Sequence, residues 1–164
     1  MTKGSTYVVI VFAALLAYFG YQWWFNPSRA VKHRLGEVAA ALSVPDSEQD
    51  IARIARLARL RRYLSDDLRV KAGAEEIRSR DTAVAAAAAW KPQPGNGDVH
   101  FADVQVFIES ETAAHAYLAV EITNVDRESG RATVDARDAS VSLAKQNGEW
   151  VVTVAESKQP PAAR

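Results

Sequence analysis

The longest uninterrupted apolar run lies near the N-terminus. Tyr7-Val-Val-Ile-Val-Phe-Ala-Ala-Leu-Leu-Ala-Tyr-Phe-Gly-Tyr-Gln-Trp-Trp-Phe25 contains no charged residue and no polar face at helical spacing. As a helix rising 1.5 Å per residue it reaches roughly 28 Å, close to the thickness of a bilayer's hydrocarbon core. Tyr7 at one edge and Tyr21, Trp23, Trp24 and Phe25 at the other form the aromatic ends of a span, and Asn26-Pro27 stops the helix. The pattern predicts a transmembrane helix over 7–25 behind a short tail, 1–6. A cleaved signal peptide is the rival, with Met1-Thr2-Lys3 as its charged start and Val8 to Phe19 as its apolar stretch. The bulky residues that follow offer no small-x-small cleavage site and favour a retained anchor.

Behind the anchor the period changes twice. Ser28 is positioned to cap a helix running to about Leu42, with Val31, Leu35, Val38 and Leu42 on one face. Pro45-Asp46-Ser47 breaks the chain, and Ser47 with Asp50 resembles a capping box for a helix from Glu48 to Leu64. Its Ile-Ala-Arg triplets wind the apolar stripe around the helix, so it needs neighbours on more than one side. A short extended piece, Asp67 to Lys71, precedes Gly73, and Ile77 with the alanine-rich run from Arg80 to Trp90 reads as another helix.

After the breaker Lys91-Pro-Gln-Pro-Gly-Asn-Gly97 the period falls to two. His100 to Ser110 sets Ala102, Val104, Val106 and Ile108 against Phe101, Asp103, Gln105 and Phe107. Thr112 to Thr123 sets Ala114, Ala116, Leu118, Val120 and Ile122 against His115, Tyr117 and Glu121. Strands over Arg131–Leu143 and Glu149–Ser157 follow, joined by the hairpin signal Asn147-Gly148. The tail, 158–164, reads as disordered. Helices followed by a meander predict an α+β domain over 28–157, its helices packed on a curved, mostly antiparallel sheet of four to five strands.

Composition narrows the chemistry. The 164 residues allow the anchor and one domain, and the zero formal net charge predicts no nucleic-acid partner. The absence of cysteine removes disulfides and thiolate chemistry. His33, His100 and His115 lack the paired spacing of a metal site, and there is no phosphate-cradling glycine loop or Gly-x-Ser-x-Gly elbow.

The segments Tyr63-Leu-Ser-Asp-Asp-Leu-Arg-Val70, Glu76-Ile-Arg-Ser-Arg-Asp81 and Asn147-Gly-Glu-Trp-Val-Val152, set in this order of elements, resemble the nuclear transport factor 2-like superfamily from about Ser28 to Ser157. Ser79 departs from the glycine many relatives carry there. The resemblance implies a cone-shaped domain with a sheet wrapped around helices. It implies several functions, because the superfamily holds ketosteroid isomerases, dehydratases, epoxide hydrolases, polyketide cyclase-like proteins and non-catalytic members. Single-span members of secretion systems and lipid-transport complexes use the domain as a docking module.

An enzyme of this kind needs an acid/base pair inside the cone. The polar strand residues are Asp103, His115, Tyr117, Glu121, Asp135, Arg137 and Asp138. His115, Tyr117 and Glu121 share the less apolar side of their strand, which points them away from the core. No catalytic, cofactor-binding or metal-binding residue is therefore assigned. The candidate docking residues are Tyr7, Tyr21, Trp23, Trp24 and Phe25. Arg53, Arg56, Arg59 and Arg62 form a candidate patch for lipid headgroups or an acidic partner, against the plainer alternative of a solvated helix face. The expectation is a single-pass accessory subunit of a larger membrane complex, without cofactor, its partners the bilayer and other integral subunits. The alternative is a tethered small-molecule binder or isomerase-like enzyme. Basic residues flank both sides of the anchor, and the export habit of bacterial signal-anchored proteins leans the domain to the periplasmic side of an inner membrane.

Overall fold

The computed structural model describes residues 3–24, 26–91, 97–126 and 129–158. The apolar run forms helix α1, Lys3–Trp24. Its described side chains, 9 to 21, are exposed, Phe12, Leu16 and Phe19 by 63 to 66% each. That stretch reaches only about 20 Å. Among the described residues no helix is long and apolar enough to cross a membrane, so the span expected over 7–25 has no support from them. Phe25, the side chains of Tyr7, Trp23 and Trp24, and the tail beyond Lys158 lie outside the described residues.

Helix α2, Pro27–Leu42, starts two residues earlier than a cap at Ser28 predicts. Asn26 is its cap, accepting from the Ser28 amide at 3.0 Å, and Pro27 fills the first turn, where a missing N–H costs nothing. Helix α3, Asp50–Tyr63, begins after Gln49 with no side-chain cap, so Ser47 and Asp50 do not form the expected box. Ser47 instead takes a positive φ of 63° in the turn. Helix α4, Arg80–Ala89, is capped by Ser79, whose hydroxyl accepts from the Thr82 amide.

The sheet has six strands rather than four or five: β1 Leu64–Ala72, β2 Glu75–Ile77, β3 Gly97–Ile108, β4 Ala113–Val125, β5 Ala132–Gln146 and β6 Glu149–Ser157, in the order β2-β1-β6-β5-β4-β3. Every neighbouring pair is antiparallel except β1 and β6. The extended piece near Asp67 is a full strand, hairpinned through Gly73 at φ 65° to β2, which takes Ile77 out of the helix expected there and pairs it with Val70. The β5–β6 turn puts Asn147 at φ 51° and Gly148 at φ 81°, the left-handed pair a tight hairpin requires.

One irregularity re-aims side chains. In β3 Ala102 pairs with Ala119 but Gln105 with Tyr117, so Asp103 and Val104 together face Leu118, and Asp103 takes φ 51°. This bulge reverses the alternation. Phe101 and Val99 share the helix-covered face with Val104, Val106 and Ile108, correcting the placement of Phe101 beside Phe107. Val31, Leu35, Leu60, Leu68 and Leu143 form the best-buried part of the core, between the helices and that face. Each such side chain contributes about 1.5–3 kcal/mol through burial.

Candidate functional site

The core does not fill the space it encloses. Between helices and sheet lies a cavity of about 360 Å³, at the lower end of the ~300–1,000 Å³ usual for small-molecule pockets. Leu35, Val38 and Leu42 of α2 and Leu60 of α3 form its helical wall, and Ala83 and Ala87 of α4 leave room where larger residues would close it. The sheet wall comes from Phe101, Val120, Ile122, Val141 and Val152, with Trp90 just past the end of α4. The β3 bulge is what turns Phe101 inward.

Among the described residues that line it none is titratable and none carries a side-chain hydroxyl or amide. Of these, only Trp90 brings a polar side-chain group, its indole N–H. Such a wall holds hydrocarbon by area and shape alone. A charged or strongly hydrogen-bonding ligand would lose its water without replacement. The wall supplies no acid and no base.

The candidate acid–base residues are elsewhere. His115, Tyr117 and Glu121 lie on the outer face of β4, as their alternation predicts. The His115 and Tyr117 rings meet edge to face at 4.7 Å, the Tyr117 and Phe107 rings at 5.9 Å, and His115 Nδ1 lies 3.1 Å from Ser142 Oγ. Asp138, opposite Ala119, and Asp103 belong to a separate groove on this outer face with Gln105 and Tyr117. Asp135 and Arg137 are different. They pair across the sheet with Ile122 and Val120, which puts them on the cavity side. There Arg137 Nε donates to Asp135 Oδ2 at 3.1 Å, both about half exposed. The alternation of β5 carried this placement, but only the register with β4 shows that the pair stands beside cavity-lining residues. Among the described residues no three His, Asp or Glu side chains gather as metal ligands.

The arginine patch divides. Arg56 is 4% exposed: Nε donates to Glu48 Oε1 at 2.6 Å, Nη2 to Glu48 Oε2 at 3.1 Å and Nη1 to the Ala41 carbonyl at 2.9 Å. It ties the end of α2 and the α2–α3 connection to the middle of α3 and offers nothing to an outside partner. The hydrogen bond from Arg56 holds the Glu48 carboxyl below its ordinary range against the opposing effect of burial, with further help from the Arg56 and Arg53 charges. Arg53, Arg59 and Arg62 are exposed. Tyr21, the one expected docking aromatic with a described side chain, is 65% exposed on α1.

No protein-family profile and no curated protein sequence matches the chain. Solved structures do. An NTF2-like protein with a cystatin-like fold from Novosphingobium aromaticivorans superposes with a TM-score of 0.66 at 9% identity, covering 90% of this chain and 92% of its own. A candidate scytalone dehydratase from the same species gives 0.62 at 14% identity, covering 81% and 83%. A candidate ketosteroid isomerase from Shewanella frigidimarina gives 0.56 at 17% identity, covering 79% and 94%. At these identities the likeness establishes a shared fold, the NTF2-like or cystatin-like cone.

Proposed function

We propose that this chain, with the NTF2-like fold, is a non-catalytic binder of an apolar small molecule, the cone being its binding site and α1 its tether at a membrane. The observation that carries the reading is the cavity, roomy enough for a small ligand and lined, among the described residues, by no titratable side chain. Isomerase or dehydratase chemistry needs a group that moves a proton beside the substrate. Asp135 and Arg137, the ionisable pair opposite the lining residues Ile122 and Val120, already satisfy each other. The tether reading is supported by α1, whose described residues from Val9 to Tyr21 carry no charge and lie exposed to water as they stand. The same helix is what supports the second reading, an accessory subunit docked to integral membrane partners.

The cavity reading is tested with the full chain in detergent, titrated with dodecanol and weighed by native mass spectrometry. One saturable adduct per chain is expected for the natural protein, and its loss for Ala87→Trp, which fills the cavity from α4. Absence of an adduct, or an adduct that survives Ala87→Trp, overturns it. For the docking reading, co-purification of a defined set of integral membrane proteins at fixed stoichiometry is the expected result, and a solitary chain is the opposing one.

A further inference from the structure

Helix α3 is oriented against its own hydrophobicity. At 100° per residue Ile51, Ile54, Ala55 and Ala58 share one arc of the helix, and Arg56 and Leu60 lie on the opposite side. The fold buries Arg56 and Leu60 and leaves Ile51 81% and Ile54 66% exposed. An amphipathic surface helix ordinarily does the reverse. The outward apolar stripe is edged by Arg59 and ends at Arg62, both exposed and without an ion pair among the described residues. Arg61, on the other edge, pairs with Asp81. Asp50 is the only acid on the helix.

We infer that this face of α3 lies on an anionic bilayer surface, Ile51 and Ile54 entering the acyl boundary while Arg59 and Arg62 meet lipid phosphates. An apolar stripe bordered by unpaired arginines is the chemistry of a helix resting in the membrane interface. Charge favours this occupant over a second copy of the chain. A two-fold contact through the stripe would bring Arg59 and Arg62 of both copies together, with Asp50 as the one acid on each helix to offset them. Proximity agrees. α2 starts within three residues of α1, and α3 returns antiparallel along it, Ala41 against Arg56 and Arg34 over the Tyr63 ring at 4.6 Å. The exposed side of α2 near α1 is also basic, with Arg29, Lys32 and His33. The inference is independent of the cavity, and α1 enters it only by holding the hairpin near the bilayer.

The chain has no cysteine, so one introduced thiol reports one position. Full-length Ile54→Cys and, on the outer sheet face, Val134→Cys carry an environment-sensitive nitrobenzoxadiazole label. They are compared in phosphatidylcholine vesicles with and without phosphatidylglycerol. In the anionic vesicles the label at 54 shifts to the blue and its quenching by iodide falls several-fold, while the label at 134 changes little. Adding R59E and R62E returns position 54 to its aqueous values, each arginine being worth about fivefold in surface affinity. Equal iodide access at 54 and 134 in both vesicles overturns the inference. So does a shift at 54 that ignores phosphatidylglycerol and the arginine changes. Shielding at 54 that rises with protein concentration in detergent identifies a second copy instead and also overturns it. Vesicle flotation separates the tether: a chain that floats with neutral vesicles while position 54 stays wet retains the tether and loses the α3 contact.

Discussion

Of the arginines along α3, Arg56 alone is buried, its guanidinium held by Glu48 and the Ala41 carbonyl. Every third position of α3 carries an arginine, and nothing in the repeat singles out one of them. What selects Arg56 is Glu48, which lies outside the helix, and the Ala41 carbonyl, left without a helical partner near the end of α2. Side chains 5% and 7% exposed make this a buried pair. Removing one partner should therefore cost about 3–5 kcal/mol, whereas replacing both by apolar residues is far milder. Urea unfolding of Arg56→Ala against the double change Arg56→Met with Glu48→Leu measures the difference. The same pair fixes a pH dependence. Because the folded-state pKa of Glu48 is lowered, its contribution is complete above the ordinary value of 4.5 and is lost as pH falls below it. The natural protein's urea midpoint should drop through that acid range, and the double variant's should drop less. A parallel acid decline in both would remove Glu48 as its source.

Elements were legible where local chemistry decides them. Alternation and the Asn147-Gly148 turn located β4, β5 and β6, because a strand that covers a core on one side must show period two. Gly148 has open space around its Cα and a φ of 81°, so Gly148→Ala should cost about 1–2 kcal/mol through backbone strain alone. Comparison of thermal unfolding tests this, and an unchanged transition would mean the hairpin adjusts its turn. The elements that escaped are those made by distant partners. β1 reads as a brief extended piece because only its parallel neighbour β6, near the other end of the chain, completes it. The β3 bulge escaped because Asp103 sits at φ 51° through the register with β4, not through a glycine that would announce it.

At the scale of the whole molecule the cavity is unfilled space in an apolar core. A core is ordinarily packed to crystal-like density, and unfilled apolar space forfeits dispersion contacts. Ala87→Leu should therefore raise stability, by about 0.5–2 kcal/mol, while weakening dodecanol binding. A variant that gains neither stability nor loses ligand would show that α4 does not border the ligand. The sequence by itself determined the four helices and the strands β3 to β6, the α+β class, the cone-type resemblance and the outward side of His115, Tyr117 and Glu121, but neither the full length of β1 nor the existence of β2. These follow from periodicity and turn chemistry, which act over a few residues. Tertiary structure alone decided that the cone is hollow rather than filled, that Asp135 and Arg137 stand beside its lining, that Arg56 is an inner tie and that Ile51 and Ile54 face outward. Each of these depends on how helix rotation and strand register bring together residues far apart in the chain, and such placement leaves no mark in a local pattern.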